Sequence, residues 1–297
     1  MAELFESGDG FVSESEWKKR ITSIRNSVIA DTGSKHSVKE ALVAAVKKRV
    51  TPGKKVGLML SGGVDSSVLA LLLKEAGADF CAYTVGIEGA ADLEAAPKLA
   101  KALGIEHKMV VLSLSDVDKL MDNLHDIYGS QADLADENPA VLYGVAAVEL
   151  ACIELAAKDG VTHFFGGIGS EEIFAGYNRH KESPDVNEEC WKGLLGMFRR
   201  DLVRDILLSV WTGITVSTPF LDKELILAAM QVSGTLKIKD GHGKHILREV
   251  AAELGLPHEF AWRKKQAAQY GSKMDKAIEK LAKEKGFTLK SEYLSSL

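Results

Sequence analysis

Residues 58–70, LMLSGGVDSSVLA, leave the fold few options. An apolar run ends at Leu60, a Gly/Ser/Asp turn follows, and a second apolar run starts at Val68. Strand, tight turn and helix satisfy that pattern, because the flanking runs differ in period and glycine turns where other residues clash. In an α/β sheet such a turn lies beyond the carboxyl end of a strand, where ligands bind. Gly62 and Gly63 let backbone N–H groups approach an anion, while Ser61, Ser66 and Ser67 add hydroxyls at the positive end of the helix. No lysine follows the glycines, so this is not a Walker loop. Asp65 would repel a bound phosphate unless a cation stood between them, which implies Mg2+.

The surroundings extend the same architecture. Strand-like runs at 55–60, 80–85, 108–112 and 161–165 alternate with helical patterns at 66–75, 92–103, 117–127 and 139–158. That alternation predicts an α/β fold, a parallel sheet with helices on both faces. An amphipathic helix over 38–50, with Val38, Leu42, Ala45 and Val46 on one face, comes before it. From about Glu188 the strand rhythm is lost, and helices are expected at 191–210, 223–230, 244–254 and 273–285. Three parts follow: a helical extension (1–36), the sheet-containing core (37–187) and a helical part (188–297). The charge run toward the C-terminus reads as a solvated helix with a frayed end.

The 297 residues are 46% hydrophobic, which is enough for a full core, and the net charge of −5 argues against a general nucleic-acid binder. Cys81, Cys152 and Cys190 are far apart and form no C-x-x-C pair, so buried free thiols are expected rather than metal ligands or disulfides. No uninterrupted apolar run reaches the length of a membrane span, and the first residues lack the pattern of a signal peptide. A cytoplasmic location is the expectation.

The loop resembles the PP-loop of ATP pyrophosphatases, S-G-G-x-D-S. The resemblance implies that Leu60, Ser61, Gly62, Gly63, Asp65, Ser66 and Ser67 bind the pyrophosphate half of ATP. Further stretches resemble the asparagine synthetase-like family in matching order over about 37–272. VGIEGAADLEAAPKLAKALGIEH (85–107) is similar to its adenine-side loop and helix, which points to Val85 and Gly86. GGIGSEEIFAGYNRH (166–180) is similar to its second signature, with Gly166 and Gly167 at the nucleotide. That loop also leaves a strand end, so its carboxylates should share Asp65's cleft, with Glu171 a second Mg2+ ligand. The plainer alternative is that Glu171 and Glu172 only favour a helix N-terminus. STPFLDKELILAAM (217–230) and KHILREVAAELGLPHEFAWRKKQ (244–266) resemble the P-F-L-D segment and the basic terminal signature. Asp222 reads first as a helix cap. Lys244 and Arg248, one turn apart, face the phosphates together or form a surface ion-pair face. Lys265 is, by its match to the signature, the cation for the α-phosphate, though Arg263, Lys264 and Lys265 also fit a solvated patch.

The chain departs from the family in several places. Ala2 stands where those enzymes carry an N-terminal cysteine, and with only about 36 residues before the first synthetase helix no glutaminase domain is expected. Ile168 stands where the family has a glutamate between glycines, and Thr215 and Ser217 replace charged residues before P-F-L-D. An altered acceptor pocket is expected. The resemblance implies an ATP-dependent, AMP- and pyrophosphate-forming carboxylate–amine ligase that uses Mg2+, with aspartate the favoured acceptor and ammonia the nucleophile. The alternatives are a ligase for another acceptor and a nucleotide-binding subunit without turnover. Expected partners are small molecules, namely ATP, an amino acid and ammonia. A separate glutaminase subunit or a second copy of the chain would be the protein partner, and no nucleic acid or membrane is expected.

Overall fold

A computed structural model describes residues 3–7, 10–129, 138–264 and 266–297. Among these, a short antiparallel hairpin, β1 (Glu6–Ser7) and β2 (Gly10–Phe11), precedes five parallel strands. These are β3 (Val56–Met59), β4 (Phe80–Gly86), β5 (His107–Val111), β6 (His163–Phe165) and β7 (Thr215–Ser217), in the sheet order β5-β4-β3-β6-β7. The α/β class and the parallel sheet expected from the alternation are therefore what the chain forms.

The unbroken apolar character of β4 follows from burial on both faces. Phe80 and Ala82 join one core with Val56 and Leu58, while Cys81, Tyr83 and Val85 join the other with Phe164. The first core is closed by helices that include Lys35–Lys47, Val64–Glu75 and His245–Glu253. Helix Lys35–Lys47 buries Val38, Leu42, Ala45 and Val46, the stripe its sequence marks out, and starts from a Ser34/Ser37 capping box. The second core is closed by helices Leu114–Tyr128, Pro139–Ala157 and Met274–Glu284. Pro139–Ala157 is long and apolar enough to cross a membrane by length and composition, but it buries Leu142, Ala146, Leu150 and Ile153 in this core. It is a core helix. All three cysteines are buried and free.

From β3 the chain runs outward through β4 and β5, then returns to build β6 and β7 on the other side of β3. The connections from β3 and β6 therefore leave the sheet in opposite directions, opening a crevice at the strands' carboxyl ends. The loop of residues 60–63 and the loop of residues 166–169 face each other across it: a Cβ on Gly167 would lie 3.6 Å from Asp65 Cβ.

Three expectations need correction. The part from 188 onward contributes β7, whose Ser217 pairs with Phe165; three residues are too few to show an alternating pattern. The helix expected over 191–210 is interrupted by a π-helical turn at Phe198–Leu202, where one extra residue per turn is accommodated between Val186–Met197 and Val203–Thr212. The C-terminal helix Lys290–Ser296 is docked rather than frayed, since Tyr293 and Leu294 are buried in the second core and Tyr293 meets Phe287 ring to ring.

Candidate active site

The glycine turn is built as its composition requires. Gly62 has φ +71°, and a Cβ there would come within 2.9 Å of Ala95 Cβ. Gly63 begins helix Val64–Glu75 without a side-chain cap, leaving the first N–H groups of that helix directed at the turn. Thr84 Oγ1 donates to Leu60 O at 2.5 Å, and Ser66 Oγ accepts from Ser61 N at 3.2 Å. Ser67 Oγ is buried and has no hydrogen-bond partner among the described residues. Arg263, from the far end of the chain, clamps the turn from outside: its guanidinium donates to Ser61 O at 2.9 Å and to Ala91 O at 3.1 Å.

Asp65 lies in the first helical turn and Glu171 in the short helix Ser170–Ile173 after β6. Both meet Lys244: its Nζ is 2.6 Å from Asp65 Oδ2, 2.8 Å from Glu171 Oε1 and 2.9 Å from Ser170 Oγ. Burial lowers the Lys244 pKa, and the Asp65 carboxylate opposes that shift. Two carboxylates and a hydroxyl around one positive charge form a hard oxygen donor set. Mg2+ takes few protein ligands of this kind when phosphates supply the rest, so the residues fit that ion. Among the described residues no group of three or more His, Cys, Asp or Glu could hold a metal, so a metal on these two carboxylates would draw the rest of its shell from water or from phosphate oxygens.

These residues border a cavity of about 570 Å³ whose walls differ. Leu60, Ser61, Asp65, Ser66, Val85, Gly167 and Glu171 line one end. A second wall is made by Glu149, Glu172, Tyr177, Arg179, Arg200, Asp201 and Arg204. Arg200 Nη2 meets Glu172 Oε1 at 2.5 Å and Asp201 Oδ2 at 2.7 Å. Arg204 bonds Asp205 Oδ1 at 2.8 Å and Glu149 Oε2 at 3.3 Å. The Arg179 guanidinium covers the Tyr177 ring at 4.1 Å. Burial and the neighbouring Asp201 raise the Glu172 pKa against the pull of Arg200, and burial raises that of Asp205. Behind the wall, burial pushes His180 down to about 4, which leaves its ring neutral.

The structure gives the other sequence-predicted residues the following places. Gly62 and Gly63 shape the turn. Gly86 packs beneath the turn at Ser272, where a Cβ would lie 3.2 Å from Ser272 O. Gly166 donates to Ser217 O and continues the β6–β7 ladder. Arg248 does not face the phosphate end; it donates to Ala261 O, Arg263 O and Gly243 O, bracing the segment that carries Arg263. Asp222 caps helix Lys223–Gln231 and pairs with Arg49, as the capping reading expects. Ile168 does line the cavity, but Thr215 and Ser217 do not. Ser217 bonds His163, and Thr215 borders a separate cavity beside Phe5 and Phe11. Lys265 lies outside the described residues. Sequence reading missed Glu149, Arg200, Asp201 and Arg204. The available signal was the charged cluster RRDLVRD inside an otherwise apolar helical run.

A parallel α/β sheet with an anion-shaped glycine turn at its switch point defines a ligand-binding class, and comparison with known proteins narrows it. The family model for asparagine synthase matches residues 37–192 and 181–294, and the chain belongs to that family. A Methanocaldococcus jannaschii protein provisionally named asparagine synthetase (glutamine-hydrolyzing) 1 is 30% identical, over 89% of this chain and 54% of that protein. Asparagine synthetase B (glutamine-hydrolyzing) of Escherichia coli is 28% identical, over 78% of this chain and 44% of that one. The chain thus spans about half the length of the curated relatives it matches. Among solved structures, NAD+ synthetase from Burkholderia pseudomallei is similar at a TM-score of 0.44 and 14% identity, over 97% of this chain and 95% of that one, which is too distant to bear on fold or function.

Proposed function

We propose that the chain adenylates a carboxylic acid with ATP, releasing pyrophosphate, and transfers the acyl group to ammonia, with aspartate as the leading acceptor. One observation carries this reading: in a member of this family, Asp65 and Glu171 converge on a single positive charge beside an uncapped helix N-terminus and a glycine turn. The turn's N–H groups and the hydroxyls of Ser61 and Ser66 would hold the departing pyrophosphate, with Lys244 and Lys265 as cations and the adenine toward Val85. Asp65 and Glu171 would hold Mg2+, which when bound supplies positive charge against the phosphate oxygens.

The acceptor carboxylate attacks the α-phosphorus, forming an O–P bond as the bond to the pyrophosphate oxygen breaks. Ammonia then attacks the acyl carbon and AMP leaves. The chain's own contribution is to bind, align and exclude water. Arg179 and Arg200 offer guanidinium groups to the acceptor's carboxylates, and Glu172 an acceptor for its amino group. Ile168 cannot take a proton, so the nucleophile attacks as neutral ammonia and passes its extra proton to the departing phosphate. The nitrogen donor in this reading is ammonia, whether free or released from glutamine by a glutaminase.

The test is pyrophosphate release by the purified chain with ATP, Mg2+ and each amino acid in turn, with and without ammonium. Stimulation by aspartate, and amide formation only with ammonium, is expected. Stimulation by a different acid alone would remove aspartate, and stimulation by none would count against turnover.

A further inference from the structure

Lys244 is placed by its backbone, not by the reach of a flexible side chain. It has φ 57° at the head of helix His245–Glu253, is 1% exposed, and its N–H donates to Phe174 O at 3.0 Å. The adjoining Ala175 also has positive φ, 59°. Two non-glycine residues in this sparsely populated region, side by side at one junction, are held there by what surrounds them. Glycines make room on both sides. A Cβ on Gly243 would lie 2.5 Å from Ala175 O, and one on Gly176 would lie 1.5 Å from Glu171 Oε2 and 2.4 Å from Lys244 Cε. The ammonium is thereby fixed against three oxygens at 2.6, 2.8 and 2.9 Å, from two different loops.

We propose that Lys244 is the resident counter-cation of the Asp65–Glu171 pair, so that the chain takes up a divalent cation together with nucleotide phosphates and not before them. This rests on the ligase reading above and adds an order of binding to it. With the ammonium in place the cluster carries one net negative charge instead of two. A free divalent ion would have to displace an amine already held by three ligands and shed much of its own hydration. Phosphates change that balance, because they bring oxygen ligands for the metal and new acceptors for the displaced ammonium. Lys244 is then a positioning residue before nucleotide binds and a phosphate contact afterwards.

Mn2+ binding, read by equilibrium dialysis as the metal retained with the chain, tests this without any turnover. Wild-type chain is expected to bind no Mn2+ tightly by itself and one Mn2+ in the presence of the non-hydrolysable β,γ-imido analogue of ATP. Lys244→Met should bind one Mn2+ without nucleotide, at least about a hundredfold tighter than wild type, as expected from removing a unit charge at this distance in a partly dry site. The Asp65→Asn/Lys244→Met double variant should lose that site. If Lys244→Met does not fold, Lys244→Gln, which keeps one donor between the carboxylates, should bind at least about tenfold tighter than wild type. Tight Mn2+ binding by wild type without nucleotide overturns the proposal, as does a folded Lys244 variant that binds no more tightly. Failure of the wild type to take up Mn2+ with the analogue counts against the ligase reading instead.

Discussion

At the phosphate end of the cleft, the turn and its flanking helix start come from eight consecutive residues, with Glu171 and Lys244 brought in from two loops that glycines allow to approach. The second wall draws on three stretches: Glu149 from helix Pro139–Ala157, Glu172 to Arg179 from the short helices after β6, and Arg200 to Arg204 around the π-helical turn. Glycines and backbone N–H groups shape the first end, where charge can change as ligands come and go. The second is a set of pre-paired charges in which each arginine is matched to an acid. Mutation should therefore damage the first chiefly in activity and the second in stability as well.

The largest effect is expected at the wall. Arg200→Met leaves the buried Glu172 carboxylate without its guanidinium partner, and breaking such a pair costs about 3–5 kcal/mol. Urea unfolding measures this, and a loss under about 1 kcal/mol would show that the wall is not structurally coupled. Asp65→Asn is the counterpart at the phosphate end. It keeps the side-chain size and leaves Lys244 bonded to Glu171 and Ser170, so the fold should survive while pyrophosphate release falls more than about a hundredfold, close to 3 kcal/mol of barrier. Equal destabilisation by both variants would erase the distinction.

Asp92 stands behind the glycine turn, in weak contact with Arg263 at 3.5 Å, and burial raises its pKa to about 6 against that guanidinium. The fold thus favours its neutral form. Stability from this residue is undiminished below the ordinary carboxylate pKa, falls as pH rises toward about 6, and stays low above that. Asp92→Asn should consequently be more stable than wild type at pH 7.5 by up to about 3 kcal/mol, with the gap closing toward pH 4. A gap independent of pH would refute the assignment. The smallest and most selective effect is expected for Glu172→Gln, which should raise the KM for the acceptor about tenfold and leave the KM for ATP within about twofold. A larger change for ATP would move Glu172 to the nucleotide end.

The same contrast explains what could be read from the chain. The turn was legible because its requirements are local: Gly62 needs positive φ, Gly63 must leave a helix uncapped, and both are written in adjacent letters. Asp65 and Glu171 followed from the rule that strand ends share a crevice. Arg248 defeated helical spacing because its guanidinium turns to the carbonyls of Ala261 and Arg263, contacts that no periodicity encodes. Arg200 and Arg204 were hidden because a π-helical turn shifts their phase relative to an ordinary helix, and β7 because three residues carry no pattern.

The central claim is that the bond broken in ATP lies between the α- and β-phosphates. Incubating the chain with Mg2+, aspartate, ammonium and ATP labelled in the α-phosphate, then separating the nucleotides, tests it directly. Labelled AMP and an equal amount of pyrophosphate, formed only when the acceptor is present, is the predicted result. Labelled ADP with inorganic phosphate would contradict the account.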